Sequence, residues 1–220
     1  MRQGIRDLVE IVSQTLPVPE PIYEFGAWQS QGDGFSDLRP FFRGKKYVGC
    51  DIRQGPGVDL IMDLHDTGLP CESVGTLLLL EVMEHVQSPL GAMAEGYRIL
   101  KSNGVLVMSS VMNYPIHDTH DYWRFTPEGF LTLLRDFPLS LVDFAGDPSF
   151  PPAVIGIGVK GQLPAGTVEQ LTGRVRDWKQ SWNDASAASQ FPKAKTWKSV
   201  AKSLTPPLIL DLYHRLSRIR

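Results

Sequence analysis

Ile22-Tyr23-Glu24-Phe25-Gly26 and, after a loop and a short helical segment, Tyr47-Val48-Gly49-Cys50-Asp51-Ile52 are the stretches that decide how this chain folds. The first reads as an apolar strand ending in an acid and a glycine, the second as a strand ending in Asp. Glycine lets the backbone come close to a ligand, and a carboxylate at the second strand end can accept hydrogen bonds from both hydroxyls of a ribose. A third strand ending in Asp63-Leu64 and a fourth ending in Glu81 extend the series. Together they point to a nucleoside-bearing cofactor at the carboxyl ends of a parallel sheet.

Upstream, Ile5, Leu8, Val9, Val12 and Leu16 recur at helical spacing, which predicts an amphipathic helix over 4–16, ended by Pro17, Pro19 and Pro21. Downstream, 29–34 is a polar loop and 36–42 a short helix. Strands two and three are expected over 46–52 and 59–64, joined at Gly55-Pro56-Gly57. Thr76-Leu77-Leu78-Leu79-Leu80 is a continuous apolar run suited to a central strand covered on both faces. Ser88-Pro89 reads as an N-cap followed by proline at the first helical position, with Leu90, Met93, Ala94 and Tyr97 as the buried stripe. A fifth strand is expected over 105–110. Thr126-Pro127-Glu128 opens a helix with Phe130, Leu133, Leu134 and Phe137 inward, and 139–144 and 154–160 are two more strands. Alternating strands and helices with short links specify an open α/β sheet.

Beyond residue 161 the pattern stops. Residues 162–207 are polar and are expected as loose helices or partial disorder, while Leu208, Leu212, Tyr213, Leu216 and Ile219 again share one helical face. The reading therefore divides the chain into a cofactor-binding domain over 1–161 and a basic, partly helical extension over 162–220. Charge follows the same division: residues 1–169 carry a net −9 and residues 170–220 a net +7. Such a tail can fold onto its acidic body, touch a polyanion or lie near a membrane surface.

The 220 residues are enough to bury a full core, and contents of 42% hydrophobic and 21% charged residues are ordinary for a globular protein. No run approaches the ~18 apolar residues that span a bilayer. No secretory signal is expected in Met1-Arg2-Gln3-Gly4-Ile5-Arg6-Asp7, and Cys50 and Cys71 make no disulfide framework. A cytoplasmic location is the expectation.

The segment Leu77-Leu78-Leu79-Leu80-Glu81-Val82-Met83-Glu84-His85-Val86, then Pro89, then Tyr97-Arg98-Ile99-Leu100-Lys101-Ser102-Asn103-Gly104, resembles class I S-adenosylmethionine-dependent methyltransferases of the type 11 group. The family has a Glu-Val-x-Glu-His-Val segment after a strand, then a helix, then an Arg-x-Leu-Lys-Pro-Gly-Gly turn. The resemblance covers roughly 20–145. It implies an open seven-stranded, mostly parallel sheet with the last strand antiparallel, a Rossmann-like methyltransferase fold with helices on both faces. By the same resemblance, Glu24 and Gly26 correspond to the acid and first glycine of the cofactor loop. Asp51 holds the ribose, Asp63 and Leu64 border the adenine, and Glu81 borders the methionine portion. The family loop usually reads Gly-x-Gly-x-Gly; here Trp28 stands at the second glycine, so the loop opens wider or the indole lines the pocket. The acid that normally starts the fourth strand is replaced by Gly75-Thr76. The stretch from His117 through Gly129 also looks like a subset of the family associated with glycan and polysaccharide modification.

These readings predict methyl transfer to a small molecule or glycan-type acceptor, at oxygen, from S-adenosylmethionine. Methyl transfer from a sulfonium is an in-line displacement that chiefly needs alignment, and an oxygen acceptor benefits from a general base. After strand five, His117 or His120 can take the proton with Asp121 orienting the imidazole, and Tyr122 and Arg124 can contact the acceptor. Each has a plainer role: the histidines satisfying loop backbone, Asp121 and Arg124 forming a structural ion pair, Trp123 and Phe125 packing. His85 either sits near the methyl donor or caps the turn that follows. His117, Asp118, His120 and Asp121 also contain enough ligand atoms for a metal, but zinc spacings are absent and no metal ligand is assigned. An NAD oxidoreductase lacks its Gly-x-Gly-x-x-Gly, and nucleic-acid methylation is disfavoured by the acidic body. The rival of another class is a non-catalytic scaffold of the same fold with a degraded cofactor loop.

Overall fold

The computed structural model describes residues 1–30, 32 and 34–190, with 184–190 as helix backbone only. The face predicted to contain Leu208–Ile219 lies outside the described residues. The chain divides into two compact units, Met1–Asn183 and Asp184–Arg220. The first holds everything that follows.

Its elements are α1 (Gln3–Thr15), β1 (Ile22–Phe25), β2 (Tyr47–Asp51), β3 (Leu60–Ile61), β4 (Val74–Leu80), α2 (Pro89–Ile99), β5 (Leu100–Val111), α3 (Pro127–Leu133), β6 (Leu139–Ala145), β7 (Ala153–Val159) and α4, which begins at Thr167 within Thr167–Gln190. The strands form one seven-stranded sheet in the order β3-β2-β1-β4-β5-β7-β6. Pairings from β3 through β5 are parallel, and β7 runs antiparallel to both neighbours.

Strand period two sorts the core onto the two faces of the sheet. In β4, Leu78 and Leu80 join α1 (Ile5, Leu8, Val9, Val12) and α4 (Leu171, Val175, Trp178) on one side. Leu77 and Leu79 join α2 and α3 on the other. Every residue of β4 is buried, as a central strand between two helical layers must be. The polar stretch after 161 contains more order than its composition predicts. Leu171, Val175 and Trp178 fall at i, i+4 and i+7 and dock on the sheet, and the Trp178 indole N–H donates to the Gly4 carbonyl at 2.6 Å.

Two local expectations are corrected. The buried stripe of α2 is Ala92, Met93, Gly96 and Ile99, while Leu90 and Ala94 face outward. The helix lies so close to the sheet that a Cβ on Gly96 would sit 3.0 Å from the Leu77 side chain, so small residues occupy its inner face. Ser88 holds the N-cap position of α2 without a side-chain capping bond, whereas the Thr126 hydroxyl does accept from Gly129 N–H at 3.1 Å to start α3. The third strand is also shorter than predicted, ending at Ile61, so Asp63 sits in a turn beyond it.

Candidate active site

The carboxyl ends of β1, β2 and β4 and the loops that follow them enclose a cavity of about 950 Å3, near the upper end of the ~300–1,000 Å3 typical of small-ligand pockets. Glu24, Gly26, Trp28, Asp51, Asp63, Leu64 and Glu81 all line it, as do His117, His120 and Tyr122 from the loop between β5 and α3.

On the strand side, Gly26 has φ +79°, and a Cβ there would sit 2.4 Å from Val82. Only glycine lets the chain turn here without closing the cleft. Asp51 is 6% exposed and accepts from the Arg53 N–H at 2.9 Å. The Arg53 guanidinium lies over the Trp28 ring at 4.3 Å and reaches Asp118 at 3.7 Å. Trp28 thus occupies the rim as an aromatic plate. Gly55 allows this, since a Cβ on it would meet the indole at 2.4 Å. Glu24 is almost fully buried; burial pushes its carboxyl up to about 7, against the opposing effects of a 2.7 Å bond from the Tyr47 hydroxyl and of the Arg39 charge. Asp63 accepts from His65 N–H at 2.8 Å and lies 2.7 Å from its Nδ1, which holds the carboxyl below its usual range. Glu81 adopts φ 57° at the end of β4, and its carboxylate is bound by Arg2 Nε at 2.5 Å.

Across the cavity stands a wall rich in imidazole. A 3-10 turn, Met83–His85, follows β4. It places Glu84 fully buried, with Oε2 accepting from the Ser110 hydroxyl at 2.7 Å and Oε1 without any hydrogen-bond partner. Burial raises the Glu84 carboxyl despite that bond. His85 Nδ1 donates to the His120 carbonyl at 2.8 Å. The His117 ring meets the His85 ring edge-on at 4.9 Å, and its Nδ1 lies 3.1 Å from Asp121 Oδ2 and 3.2 Å from the Pro115 carbonyl. One ring nitrogen from each of these two histidines and a Glu84 oxygen lie within 4.8 Å of one another.

Asp121 and Arg124 stand apart from the cavity lining. The Asp121 side chain is wholly covered, and the Arg124 guanidinium grips both its oxygens at 2.5 and 2.8 Å, holding its carboxyl far below the usual range. The remaining Arg124 contacts go to the carbonyls of Tyr114, Pro115 and Trp123. This pair is a brace inside the loop, and its donors are spent there. The same loop is fastened to the turn after β4: Tyr122 and Trp123 N–H both donate to the Glu84 carbonyl, and the Trp123 indole donates to the Val86 carbonyl. His117, Asp118, His120 and Asp121 do not converge on one centre, because Asp118 bonds Thr119 and Asp121 bonds Arg124. The group that does converge includes Glu84, whose signal in the sequence is an acid set among Val82, Met83 and Val86.

Residues 38–108 match the model of a methyltransferase domain. No protein of curated function matches the chain. Solved structures do. A possible histamine N-methyltransferase from Thermotoga maritima aligns with 70% of this chain and 88% of its own at TM-score 0.51 and 20% identity. An S-adenosylmethionine-dependent methyltransferase from Archaeoglobus fulgidus covers 70% and 94% at TM-score 0.52 and 13% identity. The 1,6-didemethyltoxoflavin-N1-methyltransferase of Burkholderia thailandensis, solved with S-adenosylhomocysteine bound, covers 73% and 79% at TM-score 0.57 and 15% identity. At such identities the likeness establishes the fold. The cavity fits the corresponding cofactor on its own evidence: a near-buried carboxylate at the end of β2, a backbone cradle at Gly26 that a Cβ would fill, and an apolar border at Leu64.

Proposed function

We propose that this chain, whose residues 38–108 match a methyltransferase domain and whose fold is that of S-adenosylmethionine-dependent methyltransferases, is itself such an enzyme and methylates a hydroxyl oxygen of a small molecule or glycan-type acceptor bound against the imidazole wall. The observation that carries this reading is the wall itself: His85, His117 and His120 face the same cavity as Asp51 and Gly26.

The cofactor, when bound, supplies a methyl group already activated for in-line displacement. Asp51 would accept the ribose hydroxyls, Gly26 would admit the cofactor to the backbone, and Trp28, Leu64 and Asp63 would border the purine. Val82 and Glu81 would border the methionine portion. The imidazole wall is where an acceptor hydroxyl gives up its proton, and Asp121 fixes the His117 ring through Nδ1 so that Nε2 remains for the cavity. Tyr114 and Tyr122, both largely exposed at the mouth, offer apolar faces to a ring-bearing acceptor. Among the described residues no helix is long and apolar enough to cross a membrane.

The test is release of S-adenosylhomocysteine with hydroxylated probes (a catechol, a simple phenol, a methyl glycoside) beside matched amines. Transfer to hydroxyl probes is expected. His117→Ala should slow it by about 100-fold or more, on the scale of lost acid–base assistance, while affinity for S-adenosylhomocysteine stays within about twofold. Turnover confined to the amines, or undiminished in His117→Ala, overturns the reading.

A further inference from the structure

The buried Glu84 oxygen without a partner needs an explanation, because an acceptor removed from water and left unpaired costs about 1–3 kcal/mol, and more for a charged group. Ser110 satisfies only Oε2. A carboxylate oxygen of Glu84 lies within 4.8 Å of a ring nitrogen of each of two imidazoles, and each imidazole has its Nδ1 within hydrogen-bonding reach of a backbone carbonyl: His85 on His120 and His117 on Pro115. A neutral imidazole that donates through Nδ1 has its remaining lone pair on Nε2. The cavity wall therefore gathers a carboxylate oxygen of Glu84 and one ring nitrogen from each of His85 and His117.

We infer that Glu84, His85 and His117 form a binding site for one divalent transition-metal ion, open on its cavity side to the acceptor. Their donor atoms lie within 4.8 Å of one another. An ion held at about 2.0–2.2 Å from each donor needs them roughly 3–4 Å apart, so modest closing of the side chains completes the set. Two imidazoles and a carboxylate with vacant positions suit zinc, manganese or ferrous iron, whereas calcium and magnesium favour oxygen ligands. The surroundings are those of a supported site. Asp121 Oδ2 lies 3.1 Å from His117 Nδ1 and is itself held by Arg124, the carboxylate–histidine arrangement that fixes a ligating ring and raises its basicity. Ser110 steadies the Glu84 carboxylate, and the Glu84 main chain is pinned by two N–H groups from the facing loop.

With an ion held, the His85 and His117 lone pairs are engaged in ligation, and the cation replaces a free imidazole as the group that activates an acceptor hydroxyl, by stabilising its conjugate base. The hydroxyl proton leaves to solvent, the oxygen forms its bond to the methyl carbon, and the carbon–sulfur bond breaks to leave a neutral thioether. This part rests on the oxygen-methylation reading; the ion site does not.

The decisive measurement uses the metal alone. The chelator-treated full chain is titrated with Co2+ by visible absorption and with Zn2+ by calorimetry. One equivalent should bind, with absorption typical of nitrogen-containing coordination. His85→Ala, His117→Ala and Glu84→Gln should each weaken binding at least tenfold, and Asp121→Asn about tenfold through the His117 ring it orients, while His120→Ala leaves it unchanged. S-adenosylhomocysteine affinity reports that each variant is folded. No saturable binding, or binding indifferent to His85→Ala and His117→Ala, overturns the site. Variant-sensitive metal binding without methyl transfer to hydroxyl probes would sink the oxygen-acceptor reading and leave the site standing. Transfer to hydroxyl probes by the parent chain with no saturable metal binding would do the reverse.

Discussion

Glu24→Gln tests the electrostatics of the cleft floor most directly. Glu24 is 4% exposed, and burial lifts its carboxyl from an ordinary 4.5 to about 7. Below pH 4.5 both the folded and the unfolded chain hold this proton, and the site costs nothing. Between 4.5 and about 7 the unfolded chain releases the proton while the folded one keeps it, so stability falls as pH rises. Above about 7 the folded carboxyl ionises as well, and the loss levels off. At about 1.4 kcal/mol per pH unit, the interval from 4.5 to about 7 amounts to about 3 kcal/mol. Glutamine keeps a carbonyl for the Tyr47 hydroxyl but never ionises. The variant should therefore gain about 3 kcal/mol on the parent between pH 4.5 and about 8, or about 6–12 °C in Tm for a chain of this size. Paired thermal and urea melts across that range measure it, and groups common to both proteins cancel in the difference. Two profiles that run parallel, separated by a constant, would refute the argument.

Asp51→Ala should cost two charge-assisted hydrogen bonds to the ribose, each about 1.5–3 kcal/mol before desolvation is subtracted; calorimetry with S-adenosylhomocysteine should show at least a 100-fold loss with an unchanged melt. Arg124→Ala strands the covered Asp121 carboxylate, and because Arg124 is 27% exposed the loss should be about 2 kcal/mol, below the ~3–5 kcal/mol of a fully buried pair, read by urea denaturation. Gly26→Ala forces φ +79° on alanine and drives a Cβ against Val82; about 1–3 kcal/mol of stability should go, together with most cofactor affinity, whereas a normal binding isotherm would remove Gly26 from the cradle.

The sheet was legible because its information is local. Glu24, Gly26 and Asp51 sit at the ends of apolar runs, and the continuous burial of β4 follows from an apolar run of residues adjacent in sequence. The α2 stripe was misread because periodicity weights large side chains, whereas this helix approaches the sheet through Ala92 and Gly96 and turns Leu90 to solvent. α4 was hidden by composition: three apolar residues at helical spacing among many charges suffice when a sheet face waits for them. What sequence could not give are the contacts made across distance. Arg2 reaches Glu81 over 79 positions, and His85 reaches the His120 carbonyl over 35. Arg124 looked like an acceptor ligand because its residue type suits one, and only the fold shows that its donors are consumed by Asp121 and three carbonyls. Glu84 gave a faint signal, an acid in an apolar segment, whose meaning depends on Ser110 and on two histidines brought beside it by separate elements.

The loop between β5 and α3 is anchored largely through main-chain atoms: the Glu84, Val86 and Val111 carbonyls receive its N–H groups, and the His120 carbonyl receives His85. Such fastening does not depend on which side chains the loop displays toward the cleft. Tyr114 and Tyr122, 44% and 47% exposed and lining the cavity, supply none of these hydrogen bonds with their side chains. On the proposed reading, exchange at these two positions would alter acceptor preference while the main chain beneath them keeps its shape.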